Sequence, residues 1–184
     1  MELKAGTILV ANKLLDDYPD FKQSVMLILK HDEEGTIAVN LSGSLMMDGM
    51  VNVGGPFQRP PVLYIHPTNP DSDAPALPLG DSGYSIKPLT ADEEGLEVLD
   101  KKPEKTMLVM GHMEWEAGEL EESVKLGAWG VTAMPLAQVL DTDGEVRWKY
   151  ALKQATFETP EAPVPPATNP APQQSPKAPK QPKP

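Results

Sequence analysis

"VMLILKHDEEGTIAVNL", residues 25–41, decides the fold. Two apolar runs rich in β-branched residues, 25–30 and 36–41, flank the polar link His31-Asp32-Glu33-Glu34-Gly35. Side chains branched at Cβ pack well on a pleated surface. A short polar link with glycine near its end lets the chain reverse. The stretch therefore reads as a β-hairpin. Upstream, residues 7–11 form another strand. Downstream, 62–66, 84–86 and 129–133 read as strands, and 51–53 leads into Gly54-Gly55-Pro56. Residues 106–110 are apolar without alternation, which predicts a central strand.

Helices are predicted between the later strands. Residues 45–50 form a short one. Thr90-Ala91-Asp92-Glu93 is a capping box opening a helix to Leu99. Pro135 suits the first turn of a helix reaching Leu140. After the turn at Asp143-Gly144, residues 145–154 form a last amphipathic helix. Residues 67–83 read as one long turn-rich loop. Local strand pairing followed by alternation with helices predicts an α+β domain with a mixed sheet and helices around it.

The chain has 184 residues, 40% of them hydrophobic. No apolar run approaches the roughly 20 residues of a membrane span. No secretory leader is evident at the N-terminus. Cysteine is absent, which excludes disulfides and thiolate chemistry and fits a cytoplasmic protein. Ten of the 21 prolines fall in the last 26 residues, with three lysines and one acid. Such a stretch has too little apolar surface to offset the entropy of ordering. The predicted organisation is a domain over 1–157 and a disordered Pro/Lys-rich tail over 158–184. The net charge is −11, and residues before the last 26 hold 13 basic against 26 acidic groups. Phosphate backbones are bound chiefly by Lys and Arg, so this body opposes direct nucleic-acid binding.

"GHMEWEAGELEESVKLGAW", residues 111–129, is the densest candidate site. Read structurally, Glu116 caps a helix, Glu119 reaches back to a backbone N–H, and Trp115 staples over Leu120. Gly127 then ends the helix in a left-handed conformation. Read chemically, His112 and Glu116 are four apart and could share a helix face. The helix-borne zinc motif H-E-x-x-H would need a second histidine there, and His66 could serve only as a distant partner. "DTDGE", residues 141–145, lacks the glycine of a calcium loop and reads as a turn. Asp71 and Asp73 read as solvated. No G-x-S-x-G elbow, P-loop or dinucleotide fingerprint appears.

Several blocks together resemble the AlgH/YqgE family of small bacterial proteins. They are "AGTILVAN", "FKQSVMLILKHDEEGTIAVN", "VGGP" with "LYIHP", "MGHMEWEAGELEESVKLGAW" and "VRWKYAL". The resemblance spans about residues 5–153. Glu119 stands where that family usually has glutamine. The resemblance implies a strongly bent, barrel-like mixed sheet flanked by helices. It implies no activity, since the family has none established, though some members are linked to transcriptional regulation.

The functional expectation is a non-enzymatic binding or regulatory module with a protein partner and no membrane span, its oligomeric state left open. Its predicted ligand-binding surface joins Gly54, Gly55, Pro56, His66, His112, Trp115, Gly118 and Glu119. No catalytic residue, metal or cofactor is assigned. The alternative is a small metal-dependent or His-based hydrolase using His66, His112 and Glu116 or Glu119.

Overall fold

Strand pairing begins where the apolar runs require it. In the computed structural model, which describes residues 2–57, 61–70 and 76–159, β1 (Ile8–Ala11) pairs antiparallel with β2 (Val25–Asp32). β2 in turn pairs with β3 (Gly35–Asn40). The hairpin is tighter than the sequence reading, because β2 runs on to Asp32 and only Glu33 and Glu34 turn. Along the chain follow β4 (Leu45–Met46), β5 (Val51–Val53), β6 (Leu63–Pro67), β7 (Leu77–Pro78) and β8 (Tyr84–Pro88). Then come α1 (Glu93–Lys101), β9 (Met107–Met110), β10 (Met113–Glu116), α2 (Glu119–Lys125) and β11 (Trp129–Thr132). α3 (Leu136–Asp141), α4 (Gly144–Lys153) and β12 (Ala155–Phe157) complete the order.

These strands divide between two sheets rather than one bent barrel. The first, β10-β3-β2-β1-β11-β12, is antiparallel throughout. The second, β4-β5-β9-β6-β8-β7, is mixed, with β5 parallel to β9. Neither order returns to its start, so neither sheet closes. β9 lies inside the second sheet, between β5 and β6, as its continuous apolar character predicts.

Alternation along each strand explains the layering. Ile8 and Val10 of β1, with Val25 and Leu27 of β2, face Ile65, Ile86 and Val109 of the second sheet. α3 and α4 join this shared core through Leu136, Val139, Leu140 and Ala151. The alternate residues Leu9, Ala11, Met26 and Ile28 face the other way, onto Leu120 and Val124 of α2 and the indole of Trp129. The outer face of the second sheet sets Val51, Tyr64 and Leu108 against Val98 of α1.

Several local expectations change. Residues 45–50 are not a helix: β4 is followed by Met47, Asp48 and Gly49, all at positive φ. Three left-handed residues in succession cannot continue a right-handed helix. α1 is capped by Asp92, whose Oδ1 accepts from Gly95 N–H at 3.0 Å. Thr90, the expected cap, donates its hydroxyl to Asp92 instead, at 2.7 Å. β7 and β12 lie where the sequence showed only loop or helix end; each pairs with one neighbour at a sheet edge. The predicted tail beyond Thr159, and Asp71 and Asp73, lie outside the described residues.

Candidate functional site

The double glycine joins the two sheets. Gly54 accepts from Asn40 N–H and donates to the Met110 carbonyl, each at 2.8 Å. The ends of β3, β5 and β9 are thereby stitched at one residue. A Cβ on Gly54 would stand 2.3 Å from the Gly111 carbonyl oxygen, and one on Gly55 2.1 Å from that of His112. Both positions therefore require glycine, because backbone meets backbone there. The close approach is made by the protein's own chain. Phe57 N–H continues the seam to the His112 carbonyl at 3.3 Å.

Past this seam the chain leaves the second sheet and enters the first as β10. The sequence reading made Glu116 a helix N-cap and gave 113–115 no strand. Instead Met113, Glu114, Trp115 and Glu116 pair with Ala38, Ile37, Thr36 and Gly35 of β3. Their alternation puts Met113 and Trp115 inward and both glutamates outward. Trp115 stacks on Phe21, centroids 6.0 Å apart, and meets Trp129 edge-on at 6.2 Å. The N-cap of α2 is Gly118 at φ +85°, not Glu116. Glu119 does reach back: its Oε2 accepts from Glu116 N–H at 2.9 Å. α2 ends with Ala128 N–H on the Ser123 carbonyl and Gly127 N–H on that of Val124, around a left-handed Gly127. This double bond pattern is the Schellman motif.

His112 stands at the surface edge of the seam. Its Nε2 lies 2.6 Å from Glu114 Oε1, and its ring stacks on Phe57 with centroids 5.7 Å apart. Phe57 is 44% exposed and Pro56 is exposed beside it. A groove of about 410 Å³ runs past Gly55, Pro56 and Met113 to Asp20 and Lys22.

His66 is not part of this surface. β6 runs antiparallel to β9 with Ile65 opposite Met107, so His66 is level with Thr106. His112 lies beyond the other end of β9, past Met110 and the turn at Gly111. There the His66 Nδ1–H donates to the Pro67 carbonyl at 2.8 Å, and the ring stacks on Tyr64. Nε2 is buried without a partner among the described residues. Burial pushes the Tyr64 phenol above its ordinary pKa, against the opposing effect of the neighbouring Thr106 side chain. The histidine pair needed for the hydrolase reading is thus split between opposite ends of β9. Among the described residues no three His, Cys, Asp or Glu side chains gather as a metal would need.

The sequence reading missed Arg147 altogether. It is buried in α4, four residues from buried Ala151 and so on the same helix face. Burial holds its guanidinium below the ordinary pKa, while Asp143 acts in the opposite direction. An arginine in register with the apolar face of a predicted amphipathic helix was the available signal.

Comparison with known proteins places these features in a family. The family model described as AlgH-like matches residues 8–160. A UPF0301 protein of Caulobacter vibrioides is 27% identical over 173 residues, covering 82% of this chain and 86% of its own. UPF0301 protein YqgE of Escherichia coli O1:K1 is 26% identical over 170 residues, covering 79% and 88%. A crystal structure of a Corynebacterium diphtheriae protein superposes with TM-score 0.65 at 26% identity, covering 83% of this chain and 87% of that one. The solution structure of AlgH from Pseudomonas aeruginosa shares the fold, with TM-score 0.58 at 22% identity over 84% and 92% of the two chains.

Proposed function

This chain belongs to the AlgH-like family, and from that premise we propose that it is a cytoplasmic, non-catalytic binding module that regulates through a protein partner. The observation that carries the reading is the exposed step of Pro56 and Phe57, backed by the half-buried ring of His112, on the glycine seam. A rigid aromatic presented at the surface is the kind of anchor that concentrates binding energy in protein interfaces. Gly54 and Gly55 fix its backbone, while Trp115, Gly118 and Glu119 hold the neighbouring strand and helix start. The acidic body selects a partner with a basic face and disfavours DNA. Regulation of transcription would then pass through that partner.

The test is affinity capture with the whole chain. One partner should be retained by the wild type and by Leu77→Glu, which alters a remote exposed apolar residue. It should be lost with Phe57→Glu and weaken as salt rises. Retention by Phe57→Glu, or direct capture of duplex DNA at physiological salt, would overturn the reading.

A further inference from the structure

A cavity of about 780 Å³ lies at the β4–β5 edge of the second sheet, between the loop after Leu41, the end of α1 and the start of α4. That size is usual for small-molecule sites. Its apolar wall is formed by Met50, Val98, Leu99, Met107, Leu108 and Leu140. Two deeply buried polar side chains interrupt that wall.

The first is Arg147, 7% exposed. Its Nε donates to the Val139 carbonyl and its Nη2 to that of Thr142, both at 2.8 Å, and Nη1 donates to the Leu41 carbonyl. A guanidinium carries five N–H donors, so these three bonds leave two without a protein acceptor among the described residues. No carboxylate pairs with it there. Asp143 acts on it only from a distance, with Oδ1 engaged by Glu145 N–H at 2.9 Å. Nη1 lies 4.0 Å from where a Cβ on Gly144 would stand, so the charge sits beside a glycine of the cavity wall. The second is Asn52, 2% exposed. Its Nδ2 donates to the Asn40 carbonyl and, at 3.5 Å, to that of Val53. Its Oδ1 has no donor among the described residues.

A buried cation held only by carbonyl dipoles is incompletely compensated. An oxyanion is the natural complement to its free N–H groups. Lys102 adds a second cation to the wall. Asp143 and Glu145 stand on the same wall and would repel a second negative charge on a ligand. We propose that this cavity binds a small monocarboxylate with an apolar body, its head on Arg147 and its body against α1 and β9. The site adjoins the seam groove through Ser42, Gly43 and Ser44, but Arg147 and its apolar wall lie outside that groove, so it stands whether or not the partner reading does.

The test is a titration of the full chain, followed by backbone amide shifts, with octanoate, octyl phosphate and 1-octanol. Octanoate should shift the amides of 42–45, 98–102 and 144–147 and bind about tenfold tighter than the alcohol. Arg147→Met should erase that preference, and Leu99→Trp, which narrows the cavity beside α1, should weaken binding of all three by about tenfold. If Arg147→Met does not fold, Lys102→Gln replaces it, with octanoate weakened roughly two- to fivefold and octanol unchanged. Equal binding of octanoate and octanol would mean an apolar patch only. Tighter binding of octyl phosphate would overturn the carboxylate assignment. Shifts located elsewhere, or affinities unchanged by Leu99→Trp, would remove the site.

Discussion

In the first sheet, β1 and β2 bury side chains on both faces, and Leu9, Val10, Val25, Met26, Leu27 and Ile28 have no exposed surface. One face meets the second sheet and the other meets α2. In the second sheet, Val109 packs into the shared core, but the edge carrying β4 and β5 opens onto the 780 Å³ cavity. The polar side chains buried at that edge, Asn52 and Arg147, bond to backbone carbonyls in or just after β3, β5 and α3. The first sheet is therefore built for close packing, and the second keeps room at one edge at the expense of packing there. The difference separates residues that hold the fold from residues available to bind.

The contrast breaks most visibly in paired core truncations. Leu27→Ala, in the close-packed layer, should cost about 2–5 kcal/mol. Leu99→Ala, beside space that already exists, should cost about 1 kcal/mol or less, because little new cavity is created. Chemical denaturation of both variants checks this, and equal losses would show that the two sheets are packed alike. Gly54→Ala tests the seam between them. Its methyl would be driven into the Gly111 carbonyl and Val109, at a cost of about 1–3 kcal/mol. Gly118→Ala meets no neighbouring atom and should cost only about 1 kcal/mol, from its positive φ. If Gly118→Ala proves the more damaging in thermal melts, the seam is not under the constraint described.

The smallest effect concerns pH. The N–H of Gly95 and the Thr90 hydroxyl hold Asp92 below the ordinary aspartate pKa. A depressed folded-state value stabilises the protein above the unfolded value of about 3.9 and is lost as pH falls through the lowered one. Asp92→Asn should therefore flatten the decline in melting temperature below about pH 4. An unchanged acid limb would show that the cap of α1 contributes nothing there.

Much of the layering is legible in the sequence because the periodicity of β1–β3 and β9 depends only on which faces are buried. The division into two sheets is not. It depends on Gly111-His112 redirecting the chain after β9, and a two-residue redirection leaves no periodic trace. The seam glycines were legible as special positions, but not the partner that makes them so, since that is a backbone segment some 57 residues away (Gly54 to Gly111). β10 was misread because its outward glutamates, Glu114 and Glu116, look like the acidic first turn of a helix. His66 and His112 were joined on composition alone, and register separates them. Arg147 is in register with Ala151, but a charged side chain between exposed Glu145 and Lys149 reads as solvent-facing unless that register is followed.

The aromatic cluster at Phe21, Trp115 and Trp129 has an optical consequence. All three tryptophans of the chain attach to the first sheet, the third through Trp148 Nε1–H on the Ala11 carbonyl at 2.9 Å. The second sheet holds the buried tyrosines Tyr64 and Tyr84 instead. Indole emission therefore reports on one half of the molecule and phenol absorbance on the other, so a single unlabelled sample can show whether the halves come apart together.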